Sequence, residues 1–108
     1  MAETRKILGQ KAIAATLWDL YTVPAATQAI VSTIVVCNQD ASSHTYRISV
    51  AYNGAVDATK QYLFYNVRIA ANTTYTITIG ITLGAADIIR VYCDSATVSF
   101  NAFGVELT

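Results

Sequence analysis

The stretch YTVPAATQAIVSTIVVCN, residues Tyr21 to Asn38, is the part of the sequence that decides the fold. It joins a Pro-Ala-Ala corner to the longest apolar run of strand-forming residues in the chain. Successive side chains of a strand point to opposite faces. Apolar residues on both parities of Gln28 to Asn38 therefore predict a central strand that is covered on both faces. Pro24 lacks an amide hydrogen and suits the turn that precedes this strand.

Turn-forming residues separate this strand from several others. Gln39 to Ser43 and the Asn53-Gly54 pair favour turns, and apolar residues alternate with polar ones in the run between them. Further strands are predicted over residues 12–23, 45–52, 60–69, 74–82, 88–93 and 97–107, with no convincing helix. The alternation is most regular in residues 74–82, where it places one parity on the core face: Tyr75, Ile77, Ile79 and Ile81.

This spacing of short strands predicts an all-β fold. We expect an antiparallel β-sandwich of seven to eight strands with Greek-key connections, of the jelly-roll or immunoglobulin-like type. Residues 1–11 mix charges with a few apolar residues and are interpreted as an N-terminal arm or edge strand. Residues 12–108 are expected to form a single β-sandwich domain.

Composition excludes several classes of function. Hydrophobic residues make up 54% of the sequence and charged residues only 13%, so Thr and Ser must supply much of the surface polarity. Seven basic residues balance seven acidic ones, and without a basic cluster we expect no nucleic-acid partner. No apolar run reaches the length of a membrane helix, and no signal peptide is recognised. We therefore expect that the chain does not associate with a membrane. We also expect that it stays in the cytoplasm after synthesis.

The reactive residues do not form a catalytic or metal-binding motif. His44 is the sole histidine, no acid is obviously placed to orient its ring, and a surface turn is the favoured interpretation. Cys37 and Cys93 could form a bridge, but two free thiols are favoured without a secretion signal. The carboxylates are scattered. We expect no enzyme, with no catalytic, cofactor-binding or metal-binding residues and no cofactor.

Bulky rings on both parities of Lys60 to Ile69 predict a second apolar surface. One parity belongs to the core, and the other is better explained by a protein contact than by solvent. The candidate interface residues are Trp18, Arg47, Tyr62, Phe64 and Arg68. For the rings the alternative is ordinary core packing, and for the two arginines it is solvation.

Three segments carry a resemblance to a known class of proteins. LYTVPAATQAIVSTIVVCNQ at Leu20 to Gln39, TYRISV at Thr45 to Val50, and ITLGAADIIRVYCDSATVSFNAFGVEL at Ile81 to Leu107 make up most of the chain outside the N-terminal arm. They resemble small virion structural proteins of tailed bacteriophages, notably those that infect cyanobacteria.

The resemblance implies a component of the virion, assembled in the host cytoplasm. Among such proteins we favour a capsid cement or decoration protein, which binds over joints between coat subunits and stabilises the shell. The implied partners are further copies of the chain, with a homotrimer favoured, and the major capsid protein or another virion protein. The alternatives are a tail, baseplate or fibre component, or a glycan-binding host-attachment module using residues such as Tyr62, Asn66 and Arg68.

Overall fold

The computed structural model describes residues 2–108, and in this part of the chain the fold is all-β. It contains nine strands, where seven to eight were predicted. The strands are β1 (Glu3–Lys11), β2 (Trp18–Thr22), β3 (Gln28–Asn38), β4 (His44–Ala51), β5 (Tyr62–Ile69), β6 (Thr74–Ile77), β7 (Ile81–Leu83), β8 (Ile88–Cys93) and β9 (Val98–Leu107). Two short 3-10 turns, Tyr52–Gly54 and Thr59–Gln61, lie between β4 and β5.

The strands form two antiparallel sheets. Sheet A has the order β1-β9-β3-β6, with β7 also paired to β3, and sheet B has the order β2-β8-β4-β5. Apart from the β4–β5 and β6–β7 connections, each connection crosses from one sheet to the other. The sheets share one core, in which the Tyr46 ring of sheet B meets the Phe100 ring of sheet A edge to face, with centroids 6.2 Å apart. The arrangement is therefore sandwich-like.

The central strand β3 is covered differently from the prediction. Its buried residues change parity, from Ala29 and Val31 to Ile34 and Val36. The cause is a β-bulge between Val31 and Thr33 in the pairing with β9, since the extra residue turns the following side chains to the other face. The apolar residues on both parities thus reflect one core face that changes register, and the second face, which was expected to be covered by a partner, leaves Ile30 40% exposed in the single chain.

The predicted strand 74–82 is interrupted. β6 ends at Ile77 and β7 begins at Ile81, and Gly80 between them has a φ of +53°, a value that favours glycine. Because the ladder is broken there, Ile79 is exposed and not in the core as predicted. Tyr52, the last residue of the strand predicted over residues 45–52, is 83% exposed because β4 ends one residue earlier.

The segment predicted as an N-terminal arm or edge strand forms β1, at the edge of sheet A. It pairs with β9 along its length and contributes Leu8 to the core. It also closes one side of the sandwich against β2: Gly9 lies so close to the carbonyl of Leu20 that a Cβ there would collide with it. Nearby, Tyr21 of β2 donates a hydrogen bond of 2.6 Å to Glu106 of β9. The first strand is thus an integral part of the domain.

Candidate functional site

The outer face of sheet B carries an arginine that is held between aromatic rings. The Arg47 guanidinium lies 4.3 Å from the ring centroid of Tyr65 and 4.8 Å from that of Tyr92. Its Nε donates a hydrogen bond of 2.7 Å to Oδ1 of Asn66. The contacts with the two rings and the hydrogen bond to Asn66 together fix the orientation of the guanidinium.

A bulge in β5 creates this arrangement. Tyr46 pairs with Val67 and Ile48 pairs with Phe64, so two residues of β5, Tyr65 and Asn66, lie opposite Arg47 alone. Asn66 has a φ of +51°, a conformation that asparagine tolerates better than most residues. The extra residue turns Tyr65 toward solvent and aims the Asn66 side chain at Arg47.

Beside the arginine lies a groove of about 680 Å³, which we call the aromatic groove. It is lined by Arg47, Asp57, Ala58, Thr59, Tyr62 and Tyr65. The Tyr62 and Tyr65 rings meet edge to face with centroids 5.1 Å apart, and the Tyr62 hydroxyl donates a hydrogen bond of 2.9 Å to Oδ2 of Asp57. Partial burial, together with this bond to a carboxylate, raises the pKa of Tyr62. The phenol therefore stays protonated at neutral pH and continues to donate to Asp57.

The five predicted interface residues do not form one surface. Arg47, Tyr62 and Arg68 lie on the outer face of sheet B. Trp18 lies on β2, at the opposite edge of the same sheet, with Lys11 Nζ 5.1 Å from its ring centroid. Phe64 packs against the core, its ring centroid 6.3 Å from that of Tyr46. The bulge places both Phe64 and Val67 inward, so Phe64 faces the core and not the outer surface of sheet B.

Three residues of this surface were missed from the sequence: Asp57, Tyr65 and Tyr92. Asp57 lies in the loop before β5, and Tyr92 lies on β8. They meet Arg47 and Tyr62 only through folding. The asparagine after Tyr65 was a usable signal, since asparagine adopts positive φ more readily than most residues and so indicates a bulge.

The outer face of sheet A carries a second feature, an apolar patch formed by Ile7, Ile30, Phe103 and Val105. Ile7 pairs with Phe103 across β1 and β9, and Ile30 pairs with Val105 across β3 and β9. Directly paired residues share a face, and so do residues two apart on a strand. Ile7, Ile30 and Phe103 are 52%, 40% and 36% exposed. Large apolar side chains of three strands thus meet on one solvent-facing surface.

His44 lies in a different environment from the predicted surface turn. Its Nε2 is 2.8 Å from Oδ2 of Asp40 and its Nδ1 is 3.1 Å from Oδ1 of Asp94. These hydrogen bonds, chiefly the one with Asp40, raise the pKa of His44, and the His44 bond lowers the pKa of Asp40. The prediction that no acid orients the ring was wrong, because Asp40 lies four residues earlier in the same turn and folding brings Asp94 of a second turn to the other ring nitrogen. Both ring nitrogens face carboxylates, so the cluster joins two loops.

Both cysteines are free thiols. Cys93 is fully buried in the core, where burial raises the pKa of its thiol. Cys37 lies on β3 of the other sheet and is partly exposed. The thiols face different environments because the core face of β3 at this end carries Val36 and Asn38.

In residues 2–108, no group of three or more His, Cys, Asp or Glu side chains is arranged so that it could hold a metal ion. The same residues contain no helix with the length and apolar character needed to cross a bilayer.

No protein-family model matches the chain, and comparisons with curated proteins and with solved structures find no match. Inference about function therefore depends on the two outer sheet faces.

Proposed function

We propose that this chain is a non-enzymatic structural protein of a bacteriophage virion, a capsid cement protein that binds over joints between coat subunits. The observation that carries the proposal is the apolar patch, Ile7, Ile30, Phe103 and Val105, on the outer face of sheet A. The resemblance of three segments to virion structural proteins of tailed phages supports the same class. In this proposal sheet A faces the shell and the chain acts as a homotrimer.

The connectivity also favours this class. We assign the two sheets to a jelly roll, with β6 and β7 counted as one interrupted strand. In that assignment each sheet has four strands, in the orders β1-β9-β3-β6 and β2-β8-β4-β5, and the chain passes repeatedly between them. Jelly rolls are frequent in viral capsid proteins, although a fold alone does not determine function. The connectivity is therefore secondary support.

The apolar patch supplies a physical reason for attachment. Contiguous exposed apolar surface is uncommon on proteins that act as free monomers, and aromatic and aliphatic side chains dominate the centres of interfaces. Complete burial of one such side chain contributes about 1.5–3 kcal/mol. Three side chains that are already half-buried would contribute roughly 2–4 kcal/mol per copy. Repeated over a shell, this small contribution stabilises the assembly.

The test is attachment to particles that were prepared without this chain. Wild-type protein is expected to sediment with such shells, and Phe103→Asp is expected to bind about tenfold less, because it places a charge in the buried centre of the contact. Thr76→Asp is the matched control, since Thr76 is exposed on β6 of the same sheet, outside the patch.

Equal attachment of the Phe103→Asp and wild-type proteins would reject the patch as the contact surface. Sedimentation velocity of the free chain tests the homotrimer separately. Immunogold labelling of intact particles distinguishes a capsid position from the tail, baseplate or fibre position. Labelling confined to the tail would reject the cement role but retain the virion assignment.

A further inference from the structure

We propose that the aromatic groove of sheet B is a binding site for a neutral carbohydrate. Its volume of about 680 Å³ lies within the range of small-ligand sites, about 300–1,000 Å³. Its lining combines two tyrosine rings with one cationic and one anionic side chain. The inference goes beyond the virion assignment and does not depend on it.

The first argument is that Arg47 is already oriented for a ligand. Its Nε bonds Asn66, and its guanidinium lies against Tyr65 and Tyr92. Its two terminal nitrogens make no hydrogen bond to any of residues 2–108. A stacked guanidinium loses little further side-chain entropy when it donates to a ligand. The groove therefore offers oriented donors at one side.

The second argument is that an acceptor and two apolar ring surfaces lie beside these donors. Asp57 accepts a hydrogen bond from Tyr62 through Oδ2, and a carboxylate has capacity for several more. Tyr65 is 56% exposed, and its ring forms an edge-to-face pair with Tyr62. Tyrosine provides a rigid apolar surface with a polar end. A ligand that fits here needs both an apolar face and hydroxyl groups.

The third argument concerns charge. A guanidinium and a carboxylate line the same groove, so their charges largely cancel for a ligand that contacts both. An anionic ligand would gain from Arg47 but would be repelled by Asp57. Sugar hydroxyls accept from the first group and donate to the second, and the C–H face of a pyranose packs on a tyrosine ring. These properties together favour a neutral hexose-containing glycan over an acidic one.

The bulge that builds the site adds to this assignment. Asn66 occupies a positive-φ conformation, which asparagine adopts more readily than most residues. Here that conformation directs the amide toward Arg47. The groove also lies on the sheet opposite to the apolar patch, so both surfaces are available to different partners at once.

The experiment is a titration of the full chain with three neutral disaccharides: maltose, cellobiose and lactose. Binding is monitored by two-dimensional amide NMR and by the chemical shift of the Arg47 Nε–H. At least one sugar is expected to give saturable shifts confined to the groove. Tyr65→Ala is expected to weaken sugar binding about tenfold because the ring surface is lost. Arg47→Lys is expected to weaken binding by a similar factor because lysine lacks the planar guanidinium. Tyr52→Ala is the matched control, since it also removes an exposed tyrosine ring but Tyr52 does not line the groove.

The spectrum of each variant first establishes that the fold is intact. The proposal is overturned if none of the three sugars produces saturable shifts, or if the shifts persist unchanged in Tyr65→Ala. Sialyllactose serves as an acidic probe, and tighter binding of sialyllactose than of lactose would overturn the neutral class. Particle attachment by Tyr65→Ala is expected to match wild type, so failure of the carbohydrate site and failure of the cement role are distinguishable.

Discussion

Gly104→Ala should destabilise the domain strongly, because a Cβ at residue 104 of β9 has no room beside the backbone of β3. Gly104 pairs with Val31, next to the bulge of β3. A Cβ at this position would collide with the carbonyl oxygen of Ile30 and would lie 3.0 Å from both Val31 Cα and Leu8 Cδ1. Two of these three atoms belong to the backbone, so a change of rotamer cannot relieve the overlap. The central ladder of sheet A must shift.

The size of the effect follows from two opposing contributions. Overpacking of a core costs about 1–3 kcal/mol, and contact with backbone atoms favours the upper end, about 3 kcal/mol. Alanine recovers up to about 1 kcal/mol because glycine loses more conformational entropy in a strand. The free energy of unfolding should therefore fall by about 2 kcal/mol. For a domain of this size that lowers the melting temperature by on the order of 10 °C.

The assay is thermal and urea unfolding monitored by circular dichroism. Gly84→Ala is the control, since a Cβ there would meet only Asp87 Oδ2, at 3.8 Å. Its free energy of unfolding is expected to stay within about 1 kcal/mol of wild type. If Gly104→Ala melts at the wild-type temperature with an unchanged urea slope, the close approach of β3 and β9 is refuted.

Two further predictions concern titratable side chains. Because the pKa of His44 is raised above its ordinary value of 6.5, its bonds to Asp40 and Asp94 should stabilise the domain fully below that value and lose their effect as pH rises through the folded-state pKa. The melting temperature of the wild type should therefore fall as pH rises from 6.5 through the folded-state pKa of His44, and that of His44→Gln should not. If the two proteins have parallel pH profiles, the His44 hydrogen bonds do not contribute to stability as proposed. Because Cys93 is buried with a raised pKa and Cys37 is partly exposed, N-ethylmaleimide should label Cys37 first in the native chain. Peptide mass spectrometry measures both rates, and equal native labelling would contradict the burial of Cys93.

The candidate site was only partly predictable. Arg47 and Tyr62 were recognised as outward-facing candidates, and the structure places both in the aromatic groove. Phe64 was assigned to the same surface, yet the bulge at Tyr65 and Asn66 turns it inward. A one-residue insertion reverses every later side chain of a strand, and alternation alone does not locate such an insertion. The same limit applies to β3, where a bulge moves the core face from one parity to the other.

The apolar patch shows a different limit. Ile7, Ile30 and Phe103 are far apart in the sequence, and they become neighbours only because β9 lies between β1 and β3. Their alignment depends on the register of two long-range ladders. No local pattern encodes which strands are neighbours in a sheet, so the patch could not be derived before the topology was known.

The amino-acid sequence by itself determined the all-β class, the central position of β3 and most of the turns, because these depend on local alternation and on the backbone preferences of Pro, Gly and Asn. Tertiary structure alone decided the strand order, the bulges in β3 and β5, the pairing of His44 with Asp94, and the composition of both outer faces. The physical reason is that pairing between distant strands sets which residues become neighbours, and a single extra residue in a strand sets which face they occupy.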